Sequence, residues 1–206
     1  MLNDMNRCKV FAFIGVLVFQ FSVASVTGTT VRLLNLVEMV QLADRVFWGE
    51  CLSVEEKSGD ATSVPVLEYV FAVQGGIKGV QTGETVVFRQ VGTASQGALD
   101  IPHYQKGQEL LLFLHGDSRL GLTSPVGLAQ GVFQLIRTAE GEIGVLNALE
   151  NTNLKYRLSG AAAQESGMSA AELNSVGTKG PIPIEIFSLL VEKIARYQAS
   201  KGISLQ

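Results

Sequence analysis

The chain has 206 residues, with 16 basic and 19 acidic side chains and a net charge of −3. Its Lys and Arg residues are scattered singly rather than gathered into a stripe, which argues against a nucleic-acid-binding surface. After the first two dozen residues no apolar stretch approaches membrane-spanning length, and the remaining chain is long enough for one domain with a substantial core.

At the N-terminus, Arg7 and Lys9 precede an apolar run from Val10 to Val23 that closes on Ser22-Val23-Ala24. A short basic region, an apolar core and small residues before the cut are what export and signal peptidase require, so residues 1–24 are expected to be a secretory signal peptide, cleaved after Ala24 or one residue later. An uncleaved anchor is the alternative, but Gln20 interrupts the run. No Cys follows it to receive a lipid. Cleavage leaves 182 residues with 14 basic and 18 acidic side chains, and it removes Cys8, so that Cys51 stands alone and no internal disulfide can form. Cys51 reads as a small buried hydrophobe, with an intermolecular disulfide and a reactive thiol as the other readings.

After an extended lead-in over residues 25–34, Asn35 and Glu38 have the spacing of a reciprocal capping box, which predicts a helix through Leu36, Val37, Met39, Val40 and Ala43 to about Asp44. The period then changes from helical to two. Six strands are predicted, over about Arg45–Glu55, Val66–Gln74, Glu84–Val91, Glu109–His115, Gly131–Arg137 and Ile143–Leu146. In the first, Val46, Trp48, Leu52 and Val54 share one face and Phe47 and Cys51 the other, with Gly49 marking a bulge or sharp coil. The fourth is a nearly continuous run, Leu110-Leu111-Leu112-Phe113-Leu114, expected to be buried on both faces. The connections are short, which favours antiparallel neighbours. Residues 151–180, rich in Gly, Ala, Ser and Asn, read as a flexible surface excursion in which Ser169 and Glu172 cap one helical turn. Past Pro181 and Pro183, Ile184, Phe187, Leu190, Val191, Ile194 and Tyr197 recur at helical spacing, predicting an amphipathic helix within residues 181–202 that packs on the barrel. The expected fold is mainly β, five to six antiparallel strands over residues 25–150 closing into a small barrel, with a helix before it and one after it.

The succession Ala43-Asp44-Arg45-Val46-Phe47-Trp48-Gly49-Glu50-Cys51-Leu52-Ser53-Val54-Glu55, then Tyr69-Val70-Phe71-Ala72-Val73, Ile77-Lys78-Gly79, Gly83-Glu84-Thr85-Val86-Val87-Phe88 and Lys106-Gly107-Gln108-Glu109-Leu110-Leu111-Leu112-Phe113-Leu114 resembles the OB-type barrel of netrin-like modules, which include the tissue inhibitors of metalloproteinases. It resembles more closely an uncharacterised group of exported bacterial proteins. The resemblance covers about residues 35–138 and implies an OB-like barrel scaffold with a protein partner. Those inhibitors begin the mature chain with a Cys whose amino group and carbonyl chelate the protease zinc, and they are disulfide-rich. This chain begins near Ser25 or Val26 after cleavage and keeps one Cys, so that mechanism does not carry over.

Motifs for chemistry are sparse. His103 and His115, with Asp100 and Asp117 near them in sequence, would make a metal site only if the fold gathered them. Ser124, in Gly121-Leu122-Thr123-Ser124-Pro125-Val126-Gly127, lacks the nucleophile elbow, and Pro125 removes an amide such an elbow would offer. No phosphate-binding or dinucleotide template is present. The Gly121–Gln134 segment puts Leu122, Pro125, Val126 and Leu128 in a loop, which must either fold over the core or meet a partner. In the partner reading His103, Tyr104, Ser124, Pro125 and Val126 lie at one barrel mouth, a placement that rests on analogy with OB-type barrels.

The sequence therefore reads as an exported, non-enzymatic binding module, periplasmic or extracellular, whose partner is another secreted or cell-envelope protein. One alternative is an inhibitor or accessory protein of a secreted protease. The other is a metal-dependent or serine hydrolase whose residues converge only in three dimensions. No catalytic residue, metal or cofactor is assigned. If the leader is cut as expected, the intact mass of the exported protein will correspond to a chain beginning at Ser25 or Val26, and recovery of full-length chain from a membrane pellet would refute the cleavage.

Overall fold

The structure is a computed structural model that describes residues 31–57, 65–93, 101–137 and 141–202. The expected leader lies outside the described residues, and Arg32–Gln206 forms one compact unit. Helix α1 (Leu36–Leu42) opens on the predicted capping box, the Asn35 side chain accepting from the Glu38 N–H and the Glu38 carboxylate accepting from the Asn35 N–H, each at 3.0 Å. Its other end is held from the sheet. Lys78 Nζ donates to the carbonyls of Val40 (2.8 Å) and Ala43 (2.6 Å), covering acceptors the last helical turn leaves free. Burial pushes the Lys78 pKa down, and the Asp44 carboxylate opposes it.

Strands β1 (Arg45–Lys57), β2 (Val66–Lys78), β3 (Thr85–Val91), β4 (Glu109–Leu114), β5 (Val132–Arg137) and β6 (Ile143–Asn147) follow the predicted order, and a two-residue β7 (Ile182–Pro183) joins them. All pair antiparallel in the order β3-β2-β1-β4-β5-β6-β7. The sheet is thus open and seven-stranded, where five to six strands closing into a barrel were expected. β5, β6 and β7 extend the ladder beyond β4 instead of returning it to β3. Between β3 and β4 runs the segment Leu122–Val126, which makes only isolated bridges, Arg89 with Leu122 and Leu114 with Pro125. Pro125 has no N–H to give a ladder there. Single bonds span the gap instead: Thr123 N–H to Arg89 O, His115 N–H to Ser124 O and Val126 N–H to Phe113 O, at 2.8–3.0 Å.

β1 bends as Gly49 foretells. Its register against β2 slips at Trp48/Gly49 and again at Cys51/Ser53, where Leu52 is left unpaired and exposed. A Cβ on Gly49 would sit 2.0 Å from the Ala72 carbonyl oxygen, so only glycine permits this approach. Alternation along the strands separates two apolar cores. Val46, Leu111, Phe113, Phe133 and Val145 face one core with α1 and the C-terminal helix; Phe47, Cys51, Tyr69, Phe71, Phe88, Leu110, Leu112 and Leu114 face the other. β4 is accordingly buried on both faces.

Residues 151–180 are not confined to the surface. Helices α2 (Gly160–Gln164) and α3 (Ala170–Ser175) lie in this stretch, and Leu154, Ala163, Met168 and Val176 are buried in the first core with Phe187 and Ile194 of α4 (Ile184–Ser200). Small side chains here let the backbone pack closely instead of marking a solvated loop. The predicted cap at Ser169 and Glu172 is present, and Lys193 on α4 binds the Glu172 carboxylate at 2.7 and 2.8 Å, which with Ser169 holds that carboxyl down to about 2.

A buried amide cluster ties these parts together. Asn147 Oδ1 accepts from the N–H groups of Leu149 and Asn151, and its Nδ2 donates to Gln130 O and Asn153 Oδ1, all at 2.9–3.1 Å. Asn151 Nδ2 donates to Val145 O and Gly180 O; Asn153 Nδ2 donates to Leu34 O. The Asn147→Ala variant strands several of these buried groups at once and should lose about 3 kcal/mol of stability in urea unfolding. A loss under about 1 kcal/mol would mean that water replaces the amide at little cost.

Candidate functional site

The segment Ile101–Gln108 leads into β4 and is pinned to β1 on both sides of one residue: Gly107 N–H donates to Cys51 O at 2.8 Å and Cys51 N–H donates to Gln108 O at 2.9 Å. Gly107 takes φ +82° at the tip, a left-handed turn that glycine adopts at no steric cost. This anchoring drives Tyr104 into the second core, where its ring lies 4.9 Å from Tyr69, 5.8 Å from Phe71 and 6.0 Å from Phe88. The edge-on contacts with Tyr69 and Phe71 suit the ring quadrupoles. His103, one residue earlier, stays exposed, with Nδ1 3.4 Å from Tyr69 Oη.

Two cavities meet these residues. A cleft of about 660 Å³ has Leu67, Tyr69 and Tyr104 among its walls, with Ser53, Glu55, Thr93, His103, Gln105 and Lys106 also lining it. A smaller cavity of about 270 Å³ shares His103 and Tyr104 and is lined further by Pro102, Gln108, Leu110, Gln134 and Asn147. Burial pushes the Tyr69 phenol up to about 12 and the Tyr104 phenol above its ordinary value, so both are neutral hydrogen-bonding groups at any physiological pH. On the rim Glu55 pairs with Lys57 at 2.5 Å. The larger cleft falls within the size range of ordinary ligand sites and joins aromatic surface to a polar edge.

Of the five residues placed at one mouth by sequence reasoning, the fold gathers His103 and Tyr104. Ser124 is half-buried and Pro125 and Val126 are buried in the segment bridging β3 and β4, with Val126 in the first core. None of these three lines either cavity. Cleft-lining residues that sequence reasoning did not single out are Ser53, Leu67, Tyr69 and Lys106; buried Gln90, with Nε2 3.5 Å from Tyr104 Oη, is a further residue it missed. One signal was available: Gln90 is the lone polar residue on the inward side of β3, where Val86 and Phe88 precede it.

Among the described residues no group of three or more His, Cys, Asp or Glu side chains is placed to hold a metal ion. Asp117 pairs instead with Arg45, and Asp100 lies outside the described residues. No described helix is long and apolar enough to cross a membrane. No family model, curated protein or solved structure matches the chain. The fold and cleft define a mainly β protein with an aromatic-walled recess at the bent end of its sheet.

Cys51 is fully buried in the second core, its thiol 3.6 Å from Ser53 O. Burial pushes the thiol pKa up, and neighbouring Glu50 adds to the shift. Both effects suppress the nucleophilic thiolate. Cys51 should resist an aromatic disulfide reagent in the folded protein and react fully once the chain is unfolded in about 8 M urea; rapid labelling of the native protein would overturn its assignment as a core residue.

Proposed function

We propose that the protein is an exported binding module, not an enzyme, and that it engages another secreted or cell-envelope protein through the cleft at His103 and Tyr104. The observation that carries this reading is the cleft itself: phenolic rings and Leu67 form an apolar wall, and Glu55, Gln105, Lys106 and exposed His103 stand around it. Interfaces concentrate their energy where aromatic side chains are enclosed by a polar rim. The pinning of Ile101–Gln108 to Cys51 supports it further, because a surface held in place before binding spends less on ordering.

We also read the curved half of the sheet, β1 to β4 with Leu122–Val126 as its seam, as an OB-like barrel of netrin-like type. The strong bend of β1 and the two bridges that flank the seam support this. A buried lone Cys51 is in keeping with an exported domain that stands on its core without disulfides.

Photo-cross-linking tests the reading. A benzophenone amino acid at position 103 or 106 should yield a discrete adduct with one protein of the secretome or envelope, while the same group at Arg196, exposed on α4, should yield none. Absence of adducts at 103 and 106, or equal adducts at all three positions, would remove the cleft as the binding surface.

A further inference from the structure

Helix α4 buries Ile184, Phe187, Leu190, Val191 and Ile194 in the first core, yet its solvent side is not wholly polar. Ile186 and Leu189, one turn apart, stay 42% and 59% exposed, and of the large apolar side chains exposed among the described residues they are the two that share a helix. Helix propensity does not account for the pair, since isoleucine is β-branched and gains little there. The charges around them are ordered. Glu185 lies exposed in the first turn and has no ion-pair partner among the described residues. Arg196 lies near the far end, its side chain 72% exposed and 3.5 Å from the Glu192 carboxylate of its own chain. Glu185, Leu189, Glu192 and Arg196 recur at alternating spacings of four and three residues, so they run as one line along the helix, with Ile186 beside it.

We propose that α4 is a self-association surface, on which a second copy of the chain docks its own α4 antiparallel. A parallel pair would set acid beside acid and base beside base. In the antiparallel pair a two-fold axis crosses the helices midway between Glu185 and Arg196, so each Glu185 comes level with Arg196 of the other copy and both pairs form together. The same axis brings the two Leu189 side chains to levels about 4.5 Å apart along the helix direction, where they cover one another and the neighbouring Ile186. The opposed helix dipoles add to the preference. A foreign partner would have to match this order of apolar and charged groups, whereas a second copy supplies it by symmetry. Contact through one helix per copy falls below the roughly 1,200 Å² of stable complexes, so the dimer dissociates in the micromolar range. The cleft and its partner take no part in it.

Sedimentation equilibrium of the exported protein from about 1 μM to about 1 mM should show a reversible monomer–dimer equilibrium. Leu189→Glu changes an exposed position, should keep the circular dichroism of the unaltered protein, and should weaken dimerisation at least about tenfold. Glu185→Arg and Arg196→Glu should each weaken it too, because each sets like charges level. An equimolar mixture of those two variants should associate more tightly than either alone, since the mixed dimer regains both ion pairs. A chain that stays monomeric over the whole range overturns the proposal, as does a dimer that Leu189→Glu leaves unchanged or a mixture no tighter than its components. In dilute secretome, below the dissociation constant, the copies are apart, so a cross-linker at position 196 remains silent there whether or not the cleft binds its partner.

Discussion

The cluster of Asn147, Asn151, Asn153 and Gln130 is the constraint on which the helical half of the molecule rests. All four side chains are almost fully buried, and burying an amide is costly unless its donors and acceptors are met. Here they are met by backbone from distant parts of the chain: Arg32 and Leu34 before α1, Val145 in β6, and Gly180 just ahead of β7. An apolar core tolerates many arrangements of similar volume, but such a set of bonds is satisfied only when every contributing segment is in place. The cluster therefore fixes register where hydrophobic packing alone would leave it loose. It also holds Glu150 and Asn151 in left-handed backbone (φ +52° and +64°), the first of which is costly for a residue other than Gly or Asn.

The other half is held differently. Tyr69, Phe71, Phe88 and Tyr104 form a continuous set of ring contacts with centroids 4.9–6.0 Å apart, and Phe47 joins it through Phe71. Few polar groups enter this core. Where one does, at Gln90, its hydrogen bonding is incomplete, in contrast to the satisfied amides across the sheet. β4 connects the two halves, sending Leu111 and Phe113 to one and Leu110, Leu112 and Leu114 to the other. Any displacement of β4 is felt in both, which makes it the least dispensable strand.

Much of this was legible along the chain because it is local. The capping box at Asn35 and Glu38, the period-two strands, the doubly apolar β4 and the C-terminal helix each announce themselves within a short stretch of sequence. What escaped depends on partners far away in the chain. Lys78 reads as part of a turn after the second strand, and nothing near it says that it ends β2 or that its ammonium caps α1. The prolines at 181 and 183 read as a break, yet Ile182 and Pro183 pair at the edge of β6, where a missing N–H facing outward costs no ladder bond. Asn151 and Asn153 read as loop composition, because their burial is decided by residues elsewhere, Gly180 for the first and Leu34 for the second. In the cleft, His103 and Tyr104 stand together in the sequence, whereas Tyr69 meets them only through the fold.

The cleft itself follows from how β1 parts from β4. β1 keeps its ladder with β2 as far as Lys57, whereas its ladder with β4 ends at Glu50. Beyond that point the backbone of Cys51 bonds the turn ahead of β4, at Gly107 and Gln108, and Leu52 bulges from the ladder with β2. That double bond positions the turn so that Tyr104 must enter the core and His103 must remain outside. The tyrosine closes the aromatic cluster, and its ring becomes the wall of the recess between the turn and β1. Closing the core and shaping the cleft therefore share one anchor, the pair of bonds between Cys51 and the turn at Gly107 and Gln108.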